Sequence, residues 1–323
     1  MKTFLTFDDN GLDTDDSLNA RLRSRLIRQG ELKMIGAIAC MHPAKERAEL
    51  LGKIYGIEKT PVPVAVGTSF NSSRTPKDYE FDLHWHDSKK HSVPLDFVVD
   101  RFFMSGTKSI SLVVCSGMID LWKLIEKYPT AVENEVKEIY IMGGASWGDN
   151  KMVADLTASN HKFCQDEIDC QLIYDWFIDR GIPVRVLSRH AAYAVDLPKD
   201  LYASLDGLVG EYLTRVHRAS IQEFWNYFSS NPIDHRQNRF AFAINFCRME
   251  DLPILTGEDP WEYIKGTRAY DPLTTLYAVY PELFNPSCRT IRGVKCEIVG
   301  LSKDDPGMEH PAAVADKLIE LVK

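Results

Sequence analysis

Short unbroken apolar runs alternate along the chain with segments whose apolar positions recur every three or four residues. Phe4, Leu5 and Phe7 form the first run; Leu18, Leu22, Leu26 and Ile27 then share one helical face, with Arg21, Arg23, Arg25 and Arg28 elsewhere and Gly30 at the end. Met34 to Cys40 reads as a second buried strand and Ala44 to Tyr55 as the helix after it. This alternation predicts a parallel sheet with right-handed crossovers. Val62 to Val66 is a third strand. Residues 68–93 break the pattern: they are polar, carry Tyr79, Phe81, His84, Trp85, His86 and His91, and read as a functional loop or lid. His84 and His86 lack a matched partner for a metal and read as surface polar groups.

The period resumes with a helix at Asp96 to Met104, a strand at Ser109 to Cys115, a helix at Ile119 to Tyr128 and a strand at Glu138 to Met142. Ser116-Gly117 and Gly143-Gly144 end these two strands, small residues that bring main-chain groups to one sheet edge. Residues 147–156 read as a polar loop, 166–180 as an amphipathic segment and Pro183 to Leu187 as a strand. Asp200 to Phe228 reads as helical and dense in aromatics (Phe224, Trp225, Tyr227, Phe228), becoming polar through Asn238. Tyr270 to Leu276 looks like a helix start with Pro272 in its first turn, followed by strands in Arg289 to Val299 and a closing helix at Ala312 to Val322. Without a repeat or linker, residues 1–323 read as one α/β domain: an open, mostly parallel, Rossmann-like sheet flanked by helices, with excursions near 68–93 and 219–240.

Composition narrows the function. A length of 323 residues with 45% hydrophobic content supports a large core. A formal charge of −8 and the absence of a densely basic stretch exclude a nucleic-acid footprint. No window reaches the length of a membrane span, and MKTFLTFDDN reads as a first strand rather than a signal peptide. Seven scattered cysteines with no CxxC pair point to reduced thiols and a cytoplasmic protein.

The strongest chemical signal follows the first apolar run. Asp8, Asp9, Asp13, Asp15 and Asp16 crowd into nine positions where a strand gives way to a helix. Carboxylates this close raise one another's pKa unless a cation or hydrogen-bond donors compensate, and oxygen-rich sets suit calcium or magnesium. An acidic turn with a helix N-cap is the plainer alternative.

The run Asp9 to Leu18, DNGLDTDDSL, resembles the aspartate signature of the nucleoside hydrolase family. Cys115-Ser116-Gly117 resembles that family's middle metal-binding turn, Met142-Gly143-Gly144-Ala145 its MGG turn, and Tyr270-Asp271-Pro272-Leu273 its late HDP element. The resemblance implies calcium held by Asp9, Asp16, Asp271 and the backbone carbonyl of Cys115. It implies that Asp9 is the general base for a calcium-activated water that cleaves the N-glycosidic bond of a ribonucleoside or related N-riboside. Asp15 and Asn160 would contact the sugar; Tyr270, Trp225, Tyr227 and His42 are candidates for the base pocket, with Tyr270 as leaving-group acid. Family members assemble as dimers or tetramers, so a homo-oligomer is compatible with the resemblance, although no residue marks an interface. The chain departs from the pattern at Phe7, which replaces the first Asp, and at Tyr270, where relatives often carry histidine.

Two other readings remain open at this point. Phe7-Asp8-Asp9-Asn10-Gly11 also resembles the start of a haloacid-dehalogenase-like phosphotransferase, with Asp8 as nucleophile. A hydrolase-like scaffold that binds calcium and a sugar without cleaving it is the third.

Overall fold

The computed structural model describes residues 1–71, 75–85, 91–103, 108–230, 242–247 and 259–323. Met104, His86 and Asn238, assigned above from sequence, lie outside the described residues, as does the side chain of Phe228. The first half of the chain runs β1 (Lys2–Asp8), α1 (Thr14–Arg28), β2 (Leu32–Ala39), α2 (Ala44–Ile57), β3 (Val64–Val66), β4 (Ser92–Val93), α3 (Leu95–Phe103) and β5 (Ile110–Val114). Next come α4 (Ile119–Lys127), α5 (Pro129–Glu135), β6 (Val136–Gly143), β7 (Ala145–Gly148), β8 (Lys151–Ala154), α6 (Ser159–Lys162), α7 (Cys170–Asp179) and β9 (Val184–Ser188). The remainder is α8 (Arg189–Ala194), β10 (Leu197–Pro198), α9 (Gly207–Ser230), β11 (Gly266–Thr267), α10 (Asp271–Val279), β12 (Ser287–Ile291), β13 (Val294–Val299) and α11 (Pro311–Val322).

Nine strands form one sheet in the order β12-β13-β9-β6-β5-β1-β2-β3-β4, and every pairing is parallel except β12 with β13. The chain leaves β1 toward β2, β3 and β4, then returns to the other side of β1 with β5. That reversal opens a crevice beyond the carboxyl ends of β1 and β5, where open α/β sheets bind ligands. Strand alternation divides the core: Phe4 joins a cluster with α1, α2 and α9 on one face, whereas Leu5 and Phe7 join a cluster with α3, α4 and α7 on the other. Among the described residues, no helix is long and apolar enough to cross a membrane.

Three expectations change. Residues 147–156 are not a loop but contain the antiparallel pair β7 and β8, closed by Asp149-Asn150 with Asn150 at φ 50°; asparagine tolerates that left-handed conformation. The stretch within 68–93 is tied down where it is described: Tyr79 Oη donates to Glu223 Oε2 at 2.6 Å, and Phe81 and Trp85 pack on the core. Most tellingly, α1 is buried nearly all round, with Arg21 and Arg23 only 2% and 1% exposed. Arg21 pairs with Glu58 at 2.9 Å and also with Asp206, and Arg23 pairs with Asp8 at 2.7 Å.

Buried charges persist only when paired. An Arg23→Ala protein, which would leave Asp8 buried without its cation, is expected to lose about 3–5 kcal/mol of unfolding free energy in a urea titration. The double variant Asp8→Asn, Arg23→Met is expected to lose less; equal losses would show that the pairing is not the source of the effect.

Candidate active site

The acidic loop leaves β1 at the crevice and ends in the first turn of α1. Arg47, from α2, fixes its backbone: Nη1 donates to the carbonyls of Asp9 and Asn10, while Nε and Nη2 donate to the His42 carbonyl at 3.1 and 3.0 Å. Gly11 lets the Arg47 guanidinium approach the loop closely: a Cβ there would lie 2.9 Å from Nη1 and displace it. Asp13 occupies the N-cap of α1, makes no side-chain cap bond and is exposed.

Asp8 does not belong to this turn. It ends β1 with its side chain buried, bound by Arg23 at 2.7 Å and by the Thr6 hydroxyl at 2.6 Å. A carboxylate so committed is unavailable to attack phosphate, which removes the basis for the phosphotransferase reading. It is also not the solvated turn residue that its position suggests.

Asp15 and Asp16, in the first turn of α1, meet Asp271 at the start of α10. Ligand oxygens from the three carboxylates lie within 4.8 Å of one another, and all three residues are buried. The long-range join is made by Asp15 Oδ2, which accepts the N–H groups of Tyr270 at 2.6 Å and Asp271 at 3.1 Å. Asp9 borders the trio: its N–H donates to Asp16 Oδ1 at 3.4 Å, and its side chain is half-buried. The convergent three thus include Asp15, which the resemblance assigns to the sugar, with Asp9 beside them; consecutive positions in a helical first turn bring both Asp15 and Asp16 to the opposing helix end.

Electrostatics follow from this crowding. Burial first, then the neighbouring carboxylates, hold Asp15 and Asp16 well above the usual range. Asp271 is raised likewise by burial, then by Cys115 and Asp15. Asp9 is pushed up to about 6, chiefly by burial, with Arg47 opposing. One oxygen, Asp271 Oδ1, is buried without any hydrogen-bond partner, and so is Asn10 Oδ1 in the acidic loop. Buried oxygens without donors, set among carboxylates that destabilise one another, are what a hard divalent cation satisfies. The residues present therefore fit a hard divalent cation.

The other positions fall into two groups. Cys115 follows β5, its N–H bonded to the Phe7 carbonyl at 2.8 Å and its thiol 3.6 Å from both Asn19 Nδ2 and Arg23 Nη2. Asn160, at the start of α6, is 4% exposed and donates from Nδ2 to the Met142 carbonyl at 3.2 Å, at the carboxyl end of β6. Tyr270 sits edge-on to Tyr193 at 6.0 Å. The His42 ring lies 3.1 Å from the Ser69 hydroxyl. Trp225, by contrast, packs at 4% exposure in a satellite cluster against Phe242, and Tyr227 is 47% exposed on α9. Aromatic density near a helix end here reflects packing for Trp225. Arg47 and Asn10 are the site residues that sequence patterning missed; an arginine early in α2 carries no local signal of its partner 37 or 38 residues upstream.

No protein-family model matches the chain, and no curated protein sequence does either. Solved structures do match. The type III effector protein XopQ, solved with adenosine diphosphate ribose, superposes with a TM-score of 0.83 at 24% identity, covering 100% of this chain and 93% of that one. A plant nucleoside hydrolase gives a TM-score of 0.60 at 16% identity, covering 100% of this chain and 98% of its own. The inosine-uridine preferring nucleoside hydrolase from Bacillus anthracis gives 0.58 at 15% identity, with 100% and 98% covered. The class is thereby defined as an α/β protein with the nucleoside hydrolase fold. Within that class, this chain is structurally similar both to hydrolases and to an effector.

Proposed function

We propose that the protein hydrolyses the N-glycosidic bond of a ribonucleoside or related N-riboside, with calcium held by Asp9, Asp16, Asp271 and the Cys115 carbonyl. The observation that carries this reading is the buried, partnerless Asp271 Oδ1 beside Asp15 and Asp16, which two distant segments bring together. Calcium, when bound, supplies the positive charge that offsets the clustered carboxylates and makes a nearby water more acidic.

Asp9, whose half-buried carboxylate borders the trio, takes the proton of the attacking water. Asp15 and Asn160 orient the ribose through its hydroxyls. Tyr270, edge-on to Tyr193 at the start of α10, is the residue placed to hand a proton to the departing base; burial, with Tyr193 adding to it, raises its hydroxyl well above the ordinary value and works against that transfer. The His42 ring lines the approach, beside Ser69. Seven free thiols suit a reducing compartment such as the cytoplasm.

The test is release of free ribose from a panel of purine and pyrimidine nucleosides with calcium present, against a chelator control. Ribose from at least one nucleoside, lost on chelation, is the expected result; no release from any of them defeats the proposal. A second reading draws on the higher similarity to the effector solved with adenosine diphosphate ribose: the site binds a nucleotide-linked ribose without cleaving it. Calorimetric binding of adenosine diphosphate ribose, with no ribose or nicotinamide-type product from any riboside, favours that reading.

A further inference from the structure

Two thiols lie directly behind the sugar-contacting segment. Cys164 and Cys170 are each 1% exposed, with their sulfurs 3.3 Å apart. Cys164 Sγ donates to the carbonyls of Asn160 at 3.3 Å and His161 at 3.4 Å, and Cys170 Sγ lies 3.9 Å from the His161 carbonyl. Only the short turn 165–169 separates the pair, and Gln165, Asp166 and Glu167 on it are exposed. Among the described residues, no other pair of cysteines makes such a contact.

We propose that Cys164 and Cys170 form a peroxide-responsive dithiol, which closes to a disulfide and releases the backbone that positions Asn160. Across the 3.3 Å contact either sulfur can be the donor, and Cys164 attacks when Cys170 donates to it. Its thiolate attacks one oxygen of hydrogen peroxide, the O–O bond breaks, and the departing hydroxide takes the thiol proton as water, leaving a sulfenic acid. The Cys170 sulfur then attacks the Cys164 sulfur; the S–O bond breaks, and the second hydroxide leaves with the Cys170 proton as water. Two thiols lose two electrons, and peroxide is reduced to two waters.

The coupling to the site is a loss of donors. A disulfide has no S–H, so the Asn160 and His161 carbonyls lose the thiol bonds that now brace α6. His161 remains tied to the Asp155 carbonyl at 2.7 Å and to Tyr174 Oη at 3.2 Å, whereas the Asn160 side chain has, among the described residues, one bond, to the Met142 carbonyl. The movement therefore falls on Asn160. This consequence rests on reading Asn160 as a sugar contact; formation of the disulfide does not.

The experiment uses the full chain carrying Cys288→Ser, which removes the exposed thiol. Reduced protein is titrated with hydrogen peroxide, mapped as non-reduced peptides by mass spectrometry, and followed by hydrogen exchange over residues 159–164. Expected are a Cys164–Cys170 cross-link reversed by dithiothreitol and absent in Cys170→Ser, about tenfold faster exchange in that segment, and a KM for the riboside raised about tenfold with a smaller change in kcat. No cross-link at peroxide levels that oxidise Cys288 in the native chain overturns the proposal, as does a cross-link with unchanged exchange. Should no riboside be hydrolysed even by reduced protein, the proposed activity fails, and cross-link and exchange still decide the switch.

Discussion

An Asp9→Asn protein is expected to hydrolyse ribosides about 10²- to 10⁴-fold more slowly, the contribution of one positioned general base. The substitution preserves volume, and the backbone bond from Arg47 to the Asp9 carbonyl does not depend on the side chain. Because Asp9 is also placed on calcium, the comparison is made at saturating calcium, where fold and sugar contacts should survive and the loss belongs in kcat while calorimetric affinity for the riboside stays within a few-fold. Burial, with Asp13 and Asp8 adding to it, is what lifts Asp9 to about 6, against the pull of Arg47 and the hydrogen bond from Asp16. An asparagine at this position cannot accept the water's proton. A variant with unchanged turnover would remove Asp9 from the chemistry.

Asp271→Asn should abolish the response to calcium and yet stabilise the metal-free protein at neutral pH. Asp9, Asp15, Asp16 and Asp271 all titrate higher in the folded chain than when unfolded, because burial and mutual repulsion penalise their charged forms. The folded state then holds more protons than the unfolded one, and stability falls as pH rises. For Asp9 the loss begins above the unfolded value of about 3.9 and is complete once pH passes about 6. The other three extend it upward. Glu49, Asp155, Glu138 and Glu297 are lowered and act oppositely, losing their contribution as pH drops through the carboxylate range. His161, His190 and His217 are lowered by burial and also cost stability as pH drops below about 6.5, so metal-free protein should be more stable in the mildly acidic range than at pH 7.5.

In the native chain, calcium at a hundred times its Kd should add about 2.7 kcal/mol, roughly 5 °C in Tm at pH 7.5. Asp271→Asn should show no calcium shift and a higher metal-free Tm than the native chain at that pH. A native-size calcium shift in the variant would place the cation elsewhere.

Where the sequence is local in its signal, the structure agrees with it. The apolar run Ser109 to Cys115 contains β5, Met34 to Cys40 nearly matches β2, and Pro272 does stand in the first turn of α10. These elements follow from periodicity and turn chemistry, which operate over a few residues. The short helix Pro129–Glu135 escaped because seven residues span too few turns to establish a period. Arg21 and Arg23 escaped because a charged residue reads as solvated until its partner is known, and Asp206 lies 185 positions from Arg21.

By itself, then, the sequence determined the alternation of strands and helices and the acidic loop that follows the first strand. Only the tertiary structure decided which carboxylates converge, since Asp15 and Tyr270 are 255 residues apart and meet through the N–H groups at the start of α10. It also separated Asp8, neutralised by Arg23, from Asp9, which remains beside the cluster. The physical reason is that an aspartate's side-chain type is fixed locally, whereas its pKa, its partners and its freedom to bind a cation are set by burial and by charges contributed from distant strand and helix ends.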